Sequence, residues 1–396
     1  MVKPAPDDAL TRDVEAGLEA ALGRLRELDL GDAFEPRAAG AIVKSGLHRL
    51  TVPASAGGLG ARMTEAAEVL MALGALDGST ALGFAMQVHV VGSLVDSAGA
   101  PPGLQERVFR SIVDDGALVN NASTEEGGGS PARGAVPGTI ATPASDGTWR
   151  LSGEKTWTTW LPNLTHAFVS ARVAETDPTE VGTWLVDLSS PGVERRAGFE
   201  AMGMRGSASG RLGLVEVHVP ADALLVRRAV TNPDPRGPAP GAWFGMAVAA
   251  TYLGVGEGAR SDVARWALDR RPGDGKTAVA DVPSVRLRLG RIDADLRAAR
   301  IVVLDVARRW DTATAGGDPA GLATAAGDVA LAKLVATRAA TSATDEALRI
   351  AGGPGFLAGR LERAFRDARA GLINPPLDDV ALAGFAGSVL DRERAR

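Results

Sequence analysis

The middle of this 396-residue chain differs in residue pattern from both ends, and that change limits the folds the chain can adopt. From residue 118 to residue 225 short alternating apolar and polar runs are separated by turn signals such as Ser145-Asp146-Gly147. Alternation with a period of two is typical of β-strands with one buried face. The flanking segments show the 3.6-residue periodicity of amphipathic helices. We therefore predict an α+β fold in which an antiparallel β-domain stands between two helical domains along the chain.

The predicted boundaries follow the same change of pattern. An N-terminal all-α domain is expected over 1–117, the β-domain over 118–225, and a C-terminal four-helix-bundle domain over 243–396. Residues 226–242 contain four prolines and are predicted to be a linker. Helices are predicted over 9–30, 63–76, 80–97 with Ser79 as its cap, 242–271, 282–314 and 319–350, with a last helix from about Asp378. Strands are predicted over 138–142, 149–157, 167–173, 182–188, 193–198 and 211–219.

Composition excludes several classes of function. The chain has no cysteine, so disulfides, thiolate metal sites and thiol nucleophiles are ruled out. Its four histidines are too widely spaced for a metal-binding motif, and we expect no metal. The formal net charge is −5 with scattered basic residues, so no nucleic-acid partner is expected. No apolar run approaches the roughly 20 residues that span a bilayer, and we expect a cytoplasmic protein without membrane contact.

Two segments of the β-domain predict a binding pocket. Segment 120–130, NNASTEEGGGS, begins as a strand and opens into three successive glycines, which let backbone N–H groups approach a ligand closely. A short hairpin later, segment 153–160, GEKTWTTW, places Trp157 and Thr159 two residues apart, and therefore on one face of a strand. Together they predict one wall of a pocket for a flat ring.

Three further features are candidates for the same site. The glycine-rich segment 202–210 offers the guanidinium of Arg205 and two hydroxyls. His89 is the single imidazole of a largely apolar predicted helix, where both a core role and a pocket role are open. Near the C-terminus, Asn374-Pro375-Pro376 stops one helix before the next begins.

In this order, the segments resemble the acyl-CoA dehydrogenase superfamily of flavoproteins over essentially the whole chain. Residues 124–130 stand where that family has its Thr-Glu-Pro-x-x-Gly-Ser turn, and 153–159 match its Gly-x-Lys-x-Trp-Ile-Thr strand. Residues 202–207 match its Met-Gly-x-Arg-x-Ser loop. Residues 352–356 and 366–368 match its Gly-Gly-x-Gly-Tyr/Phe and Arg-Asp-Ala segments.

The resemblance implies a flavin oxidoreductase that acts on an acyl thioester of CoA or a carrier protein, with FAD as the cofactor. It places Thr159 near the N5 edge of the isoalloxazine and Arg270 at the pyrophosphate of a neighbouring subunit's cofactor, which implies a homotetramer or homodimer. The implied cofactor-binding residues are Ser123, Thr124, Ser130, Trp157, Thr159, Arg270, Arg349, Gly352 and Gly353. The implied substrate-binding residues are Ser130, Arg205 and Phe244.

The chain departs from this family at the proton acceptor. The family's usual catalytic glutamate falls at Pro375, and the alternative position on the first bundle helix falls at about Phe244. Asp378 and Asp379 follow closely but are expected to cap the last helix. A positioned base contributes roughly a hundredfold to ten-thousandfold to proton abstraction, so Asp378, Asp379, Glu125 and His89 stay as candidates for a relocated base. The family's Gln/Thr-Phe-Gly segment, which would follow Arg271, is replaced in this chain, and Arg349 is a second departure from the family. The resemblance therefore leaves FMN as an alternative to FAD.

A second branch of the superfamily accounts for the departure differently. Asn121-Ala122-Ser123-x-Glu125 resembles the Asn-Ala-Ser-Ser-Glu segment of its flavin-dependent monooxygenases, which also carry His-(Asn/Asp)-Pro where this chain has 374–376. In those enzymes reduced flavin forms a C4a-peroxide, and Asn121, Asn374 and His89 would be the catalytic polar groups around it. An acyl-thioester oxidoreductase, a monooxygenase supplied by a flavin reductase, and a catalytically silent flavin-binding protein all remain open, as does an electron-transfer partner.

Overall fold

The computed structural model describes residues 10–128, 135–273 and 275–396. The chain forms two compact units. The first unit comprises Met1–Arg62, Gly83–Ala201 and Arg205–Phe244, and the second comprises Met63–Leu82, Met202–Met204 and Gly245–Arg396.

Within residues 10–118, five α-helices precede the sheet. They are α1 (Arg12–Arg26), α2 (Arg37–Lys44), α3 (Met63–Leu76), α4 (Gly78–Asp96) and α5 (Pro102–Asp115). The predicted bounds of α3 are confirmed, but the predicted cap of α4 is wrong. Because α4 begins at Gly78, the N-cap is Asp77, whose Oδ1 accepts a hydrogen bond from the Thr80 amide at 2.8 Å.

The middle of the chain forms one eight-stranded sheet. Its strands are β1 (Val119–Ala122), β2 (Ile140–Pro143), β3 (Trp149–Thr158), β4 (His166–Val173), β5 (Glu180–Asp187), β6 (Val193–Arg196), β7 (Gly210–Val219) and β8 (Leu224–Ala229). The order is β6-β7-β3-β2-β4-β5-β8, and β1 also pairs with β4. Five pairings are antiparallel, as predicted, whereas β1 and β2 each run parallel to β4.

The segment predicted as a linker carries ordered elements at both of its ends. Residues 226–229 belong to β8, which pairs with β5. The next helix begins at Ala239, so Pro240 lies in its first turn, where a missing N–H breaks no intrahelical hydrogen bond. The domain boundaries proposed above stay predictions.

The C-terminal part of the chain is helical, as predicted. Its helices are α6 (Ala239–Asp269), α7 (Pro283–Gly316), α8 (Pro319–Ala351), α9 (Gly353–Phe356), α10 (Arg360–Ile373) and α11 (Asp378–Arg394). Helix α3 packs on α7, where the Asp311 carboxylate accepts the backbone N–H groups of Met63 and Thr64, both at 2.9 Å. This side chain satisfies two donors that the start of α3 would otherwise leave unpaired. The predicted α+β class, helices then sheet then helices, is confirmed.

Among the described residues, two helices are long and apolar enough to cross a membrane by length and composition alone, a test that the core helix of a globular protein also passes. The apolar window of α4 is 94% buried, as in the core helix of a globular protein, and that of α8 is 39% buried.

Candidate functional site

The ends of β1 and β3 meet in the first unit, at the two segments predicted to form a pocket wall. The Thr156 amide of β3 donates to the Thr124 carbonyl oxygen just beyond β1, at 2.8 Å. The Asn120 side-chain amide of β1 donates to the Thr159 carbonyl oxygen at 3.0 Å. These bonds hold the glycine-rich segment beside the end of β3, so the structure brings together Asn121, Ser123, Thr124, Trp157 and Thr159.

Trp157 forms an aromatic platform at this edge. A register shift between Lys155 and Thr158 interrupts the β3–β7 pairing, and Trp157 has a φ of 56°. Such a conformation costs about 1–3 kcal/mol in a residue other than glycine and is typical of functional sites. The indole is 49% exposed, and one face stacks on Phe199 with ring centroids 4.2 Å apart. The Arg211 guanidinium lies 4.9 Å from the Phe199 centroid.

Hydroxyl groups accompany this platform. The Thr159 and Ser209 hydroxyl oxygens are 3.0 Å apart, and those of Ser207 and Ser209 are 2.9 Å apart. Thr158 Oγ1 is buried and has no hydrogen-bond partner among the described residues. A buried polar atom without a partner is costly in a folded protein, and a bound ligand is one way to satisfy it.

Glu125 anchors the glycine-rich segment. Its carboxylate accepts hydrogen bonds from the Thr139 amide at 3.0 Å, from the Thr139 hydroxyl at 2.7 Å and from the fully buried Lys155 ammonium. Burial opposes ionisation of Glu125, but the bonds and charge of Lys155, with the Thr139 bonds, outweigh it and lower the pKa of Glu125. Glu125 is therefore a paired structural carboxylate, which argues against its use as a relocated base.

Helix α4 packs against the end of β3. A Cβ on Gly83 would lie 2.0 Å from Cε2 of the Trp160 indole, so only glycine fits at this contact. Gln87 fixes α4 to the start of β1, because its Oε1 accepts the Val119 amide at 3.0 Å. Two turns of α4 after Gly83, the ring of His89 stands edge-on to Phe244 with centroids 5.2 Å apart.

His89 is buried, and its imidazole is neutral near pH 7. Burial is the main cause that lowers its pKa to about 4. Its Nδ1 is buried without a hydrogen bond of normal geometry in the described part of the chain. The structure therefore places His89 in the core, and its role in a pocket stays a prediction.

Two of the remaining candidates, Asn374 and Asp378, have identifiable partners. In the second unit, Asn374 Oδ1 accepts the hydroxyl of the buried Tyr252 at 2.9 Å. The Asp378 carboxylate does not cap α11, since the N-cap position is Leu377. It lies instead 3.4 Å from the Lys333 ammonium and 3.2 Å from the Arg338 guanidinium. Asp379 is exposed.

The predicted cofactor residues of the second unit lie on its surface. Arg349, in the last turn of α8, forms an ion pair with Asp345 at 2.8 Å. Gly352 ends α8 with a φ of 61°, and a Cβ on Gly353 would meet no atom within 4 Å. Arg270 is exposed one residue beyond α6. Their assignment to a cofactor stays a prediction.

Two predicted substrate residues lie in the first unit, and a third lies outside the described residues. Phe244 contacts His89 as described above, whereas Arg205 donates to the Ala201 carbonyl oxygen at 2.7 Å and pairs with Asp32 at 3.7 Å. Ser130 lies in the undescribed range 129–134.

Sequence reasoning missed Asn120, Phe199 and Tyr252. No periodicity marks Phe199, because it lies in a segment without helix or strand. Tyr252 could have been noticed as the single tyrosine of the chain, placed on an apolar helix.

Comparison with known proteins gives a consistent assignment. The chain matches the N-terminal domain of the acyl-CoA dehydrogenase family over residues 8–115, its middle domain over 120–217 and its C-terminal domain over 242–374. The chain is 32% identical to YdbM of Bacillus subtilis (strain 168), which is named as an acyl-CoA dehydrogenase on provisional grounds. The similarity extends over 351 residues, which are 88% of this chain and 87% of YdbM.

Another relative is named for a different activity, and one similar solved structure contains FMN and a sugar nucleotide. L-evernosamine nitrososynthase of a Micromonospora species is 30% identical over 381 residues, 92% of this chain and 84% of that protein. The structure of KijD3 in complex with FMN and a dTDP-linked 3-amino-4-keto sugar superposes with a TM-score of 0.85 at 27% identity, covering 97% of this chain and 95% of KijD3. Because the chain matches all three domains of the acyl-CoA dehydrogenase family, it is a member of that family.

Proposed function

We propose that this protein is a flavin-dependent monooxygenase that acts on a small biosynthetic intermediate and receives reduced flavin from a separate reductase. One observation carries the proposal: two of the three carboxylates considered as a relocated base, Glu125 and Asp378, are held in ion pairs, and the third, Asp379, is exposed to solvent. Glu125 is paired with Lys155, and Asp378 is paired with Lys333 and Arg338. Proton abstraction from an unactivated carbon needs a free, positioned base, whereas oxygenation of an electron-rich atom does not begin with that step.

The first unit fits a flat, polar-edged ring. The half-exposed indole of Trp157, backed by Phe199, offers an apolar face, and the Thr159 hydroxyl offers a hydrogen-bonding group two residues away. The unpartnered Thr158 Oγ1 adds a buried polar atom at the same strand end. Such sites combine an apolar wall with a few fixed polar groups, and these features support flavin binding by Ser123, Thr124, Trp157 and Thr159.

Each proposed residue has a physical task. A bound reduced flavin supplies the two electrons with which dioxygen is activated. Trp157 and Phe199 exclude water from one face of the ring. Asn121, whose Oδ1 accepts the Ser123 hydroxyl at 3.0 Å, offers its amide N–H groups as donors. The neutral His89 can hydrogen-bond the substrate through a ring nitrogen, because at neutral pH its ring holds a single N–H and one nitrogen stays an acceptor.

The nitrososynthase relatives support oxygenation over dehydrogenation, and the FMN in KijD3 supports FMN as the cofactor, with FAD as the alternative. The nitrososynthases similar to this chain are named for amino sugars, so an amine-bearing small molecule is the first substrate class to test. We also propose that the protein is a homodimer or a homotetramer and that it is located in the cytoplasm.

An acyl-thioester oxidoreductase is the second candidate. It is favoured by the similarity to YdbM, which extends over 87% of that protein. In this case the base would have to come from outside the paired carboxylates, and an electron-transfer partner would be required to reoxidise the flavin.

The first experiment measures flavin binding to the purified full-length protein and to two variants. Thr159→Val and Trp157→Ala should each weaken binding of FMN about tenfold, since one loses a polar contact and the other the aromatic face. Thr142→Val, an exposed threonine of β2, is the matched control and should bind flavin as the wild type does. Unchanged binding in both site variants would contradict the assignment of this pocket wall.

The second experiment separates the two activities. The flavin-loaded protein is titrated anaerobically with acyl-CoAs of short and medium length, and separately reduced and mixed with oxygen and candidate amines. We expect an unchanged flavin spectrum with every acyl-CoA and oxygen-dependent consumption of a substrate. Bleaching of the flavin band by an acyl-CoA would instead establish the acyl-thioester activity.

A further inference from the structure

In the second unit, two neighbouring side chains of α10 hold the short segment Met202–Met204 against that helix. The Arg366 guanidinium donates to the Met202 carbonyl oxygen at 3.0 Å, and Asp367 Oδ1 accepts the Met204 amide at 2.5 Å. Between these two bonds the backbones touch, because a Cβ on Gly203 would lie 2.4 Å from the Arg366 carbonyl oxygen. We call these five residues the clamp.

The segment held by the clamp has the features of a part of the chain that opens locally. Residues 202–204 belong to no helix or strand, and Met202 is 62% exposed. Met204 has a φ of 54°, a strained conformation for a residue other than glycine. Its side chain is buried, with Sδ 4.0 Å from the Ser79 hydroxyl oxygen. Exposed, irregular segments open at a lower free energy than the whole protein unfolds, so we expect 202–204 to leave α10 while the helix stays folded.

Asp367 is the group of the clamp that changes its protonation near neutral pH. It is 3% exposed, and burial raises the pKa of its carboxyl to about 6, with the Asp77 charge acting in the same direction. The Met204 bond and the charges of Arg363 and Arg366 oppose this rise but do not outweigh it. Within the described residues, Asp367 Oδ2 has no hydrogen bond, and Asp367 forms no ion pair. The closed clamp therefore retains the proton of Asp367 up to about pH 6.

Water can reach this carboxyl through a small polar cavity. The cavity has a volume of about 30 Å³, enough for a water molecule, and Asp367 lines it. The other charged side chains along it are paired with one another, Arg360 with Asp262 at 2.7 Å and Arg363 with Asp77 at 3.4 Å. Tyr252 of α6 also interacts with Asp367, but burial raises its pKa and it stays neutral. A proton can therefore pass between Asp367 and solvent.

We propose that Arg366 and Asp367 form a proton-linked clamp, which holds Met202–Met204 on α10 at acidic pH and opens more readily as the pH rises. Opening leaves the Asp367 carboxyl in water, where an aspartate titrates near 3.9. Between about pH 4 and pH 6 opening therefore releases this proton to solvent, and a rising pH favours the open form. Above pH 6 the closed form has itself lost the proton, so the effect levels off. The inference does not depend on the proposed function.

Hydrogen exchange of the full-length protein, followed by mass spectrometry at pH 5 and pH 7, tests the clamp. The exchange rate of fragments that contain residues 202–204 is divided by the intrinsic rate of an unprotected amide at each pH, which gives the opening equilibrium. We expect this equilibrium to be about tenfold larger at pH 7 than at pH 5, from a pKa of about 6 in the closed form and about 3.9 in the open form. Asp367→Asn keeps an acceptor for the Met204 amide but has no proton to lose, so its opening equilibrium should be the same at both pH values.

A second variant tests the backbone contact separately from the proton. In Gly203→Ala the new Cβ has no room against α10, so exchange at 202–204 should rise at both pH values and lose its pH dependence. Gly290→Ala in α7 is the matched control, because a Cβ there meets no atom within 4 Å, and it should behave as the wild type does.

Two results would overturn the inference. If fragments with residues 202–204 exchange only as slowly as those from the buried part of α8, the segment opens only when the whole protein unfolds, and there is no local clamp. If the ratio between pH 7 and pH 5 is the same in the wild type and in Asp367→Asn, opening is not linked to the Asp367 proton. Faster exchange at 202–204 than in α8, with a pH ratio that Asp367→Asn abolishes, would support the clamp.

Discussion

At the level of single residues, a buried ion pair holds the segment that carries Ser123 and Thr124. The Lys155 ammonium is fully buried, and its partner Glu125 also accepts hydrogen bonds from Gly138 and Thr139. Removing one member of a buried pair leaves the other charge desolvated and uncompensated, which costs much more than the pair itself contributes.

We expect Lys155→Met to lower the free energy of unfolding by about 3–5 kcal/mol, because the Glu125 carboxylate would lose its counterion in a partly buried site. Urea unfolding followed by circular dichroism measures this loss. The double variant Lys155→Met with Glu125→Gln should recover part of the loss, since the glutamine keeps an acceptor for the Thr139 groups without a charge. Strictly additive losses would contradict an interaction between the two side chains.

At the level of elements, α4, which carries His89, packs against the end of β3, where we propose that flavin binds. The contact depends on Gly83, where the Trp160 indole occupies the space of a side chain. Trp160 is itself 2% exposed, so its ring has little room to move away. A larger residue at 83 must therefore displace the helix or distort the ring.

Gly83→Ala should destabilise the protein by about 1–3 kcal/mol, the typical cost of an overpacked core, and should weaken flavin binding because Trp160 directly follows Thr159. Gly23→Ala in α1 is the matched control. A Cβ there meets no atom within 4 Å, and alanine should stabilise the helix by about 0.5–1 kcal/mol. Thermal unfolding of both variants measures the effects, and a stabilising Gly83→Ala would show that the contact is loose.

At the level of the whole molecule, one buried carboxyl in the second unit makes stability depend on pH. Asp367 on α10 is 3% exposed and accepts the Met204 amide at 2.5 Å. Burial raises the pKa of Asp367 to about 6, with Asp77 acting in the same direction and the Met204 bond, Arg363 and Arg366 opposing. In the unfolded chain an aspartate titrates near 3.9.

The direction in which stability changes with pH follows from the linkage between proton binding and folding. Between about pH 4 and pH 6 the unfolded chain has already released a proton that folded Asp367 still binds, so the stability from this group is full below pH 4 and is lost as pH rises through 6. Relative to Asp367→Asn, the wild type should lose about 2–3 kcal/mol of unfolding free energy from pH 4 to pH 7. Urea unfolding of both proteins across this pH range measures the difference in their unfolding free energy. The contributions of ionisable groups that both proteins share cancel in this difference. A constant or rising difference would contradict the raised pKa.

The sequence by itself determined the order of helices, sheet and helices, and it singled out the segments 120–130 and 153–160 that meet in the structure. Helix and strand periodicity is local, and glycines, prolines and the Trp-x-Thr pair report the conformation of their own segment. It did not determine the parallel pairing of β1 and β2 with β4, because strand partners are chosen over long sequence separations.

Only the tertiary structure decided which side chains meet. The platform joins Trp157 to Phe199, 42 residues later, and a hydrogen bond between hydroxyl groups joins Thr159 to Ser209, 50 residues later. The pairing of Asp378 with Lys333 likewise spans 45 residues and turns an expected helix cap into an ion-paired carboxylate. Such contacts depend on strand register, helix packing and loop course together, so no local pattern encodes them, and the chemistry of the site is settled by the fold as a whole.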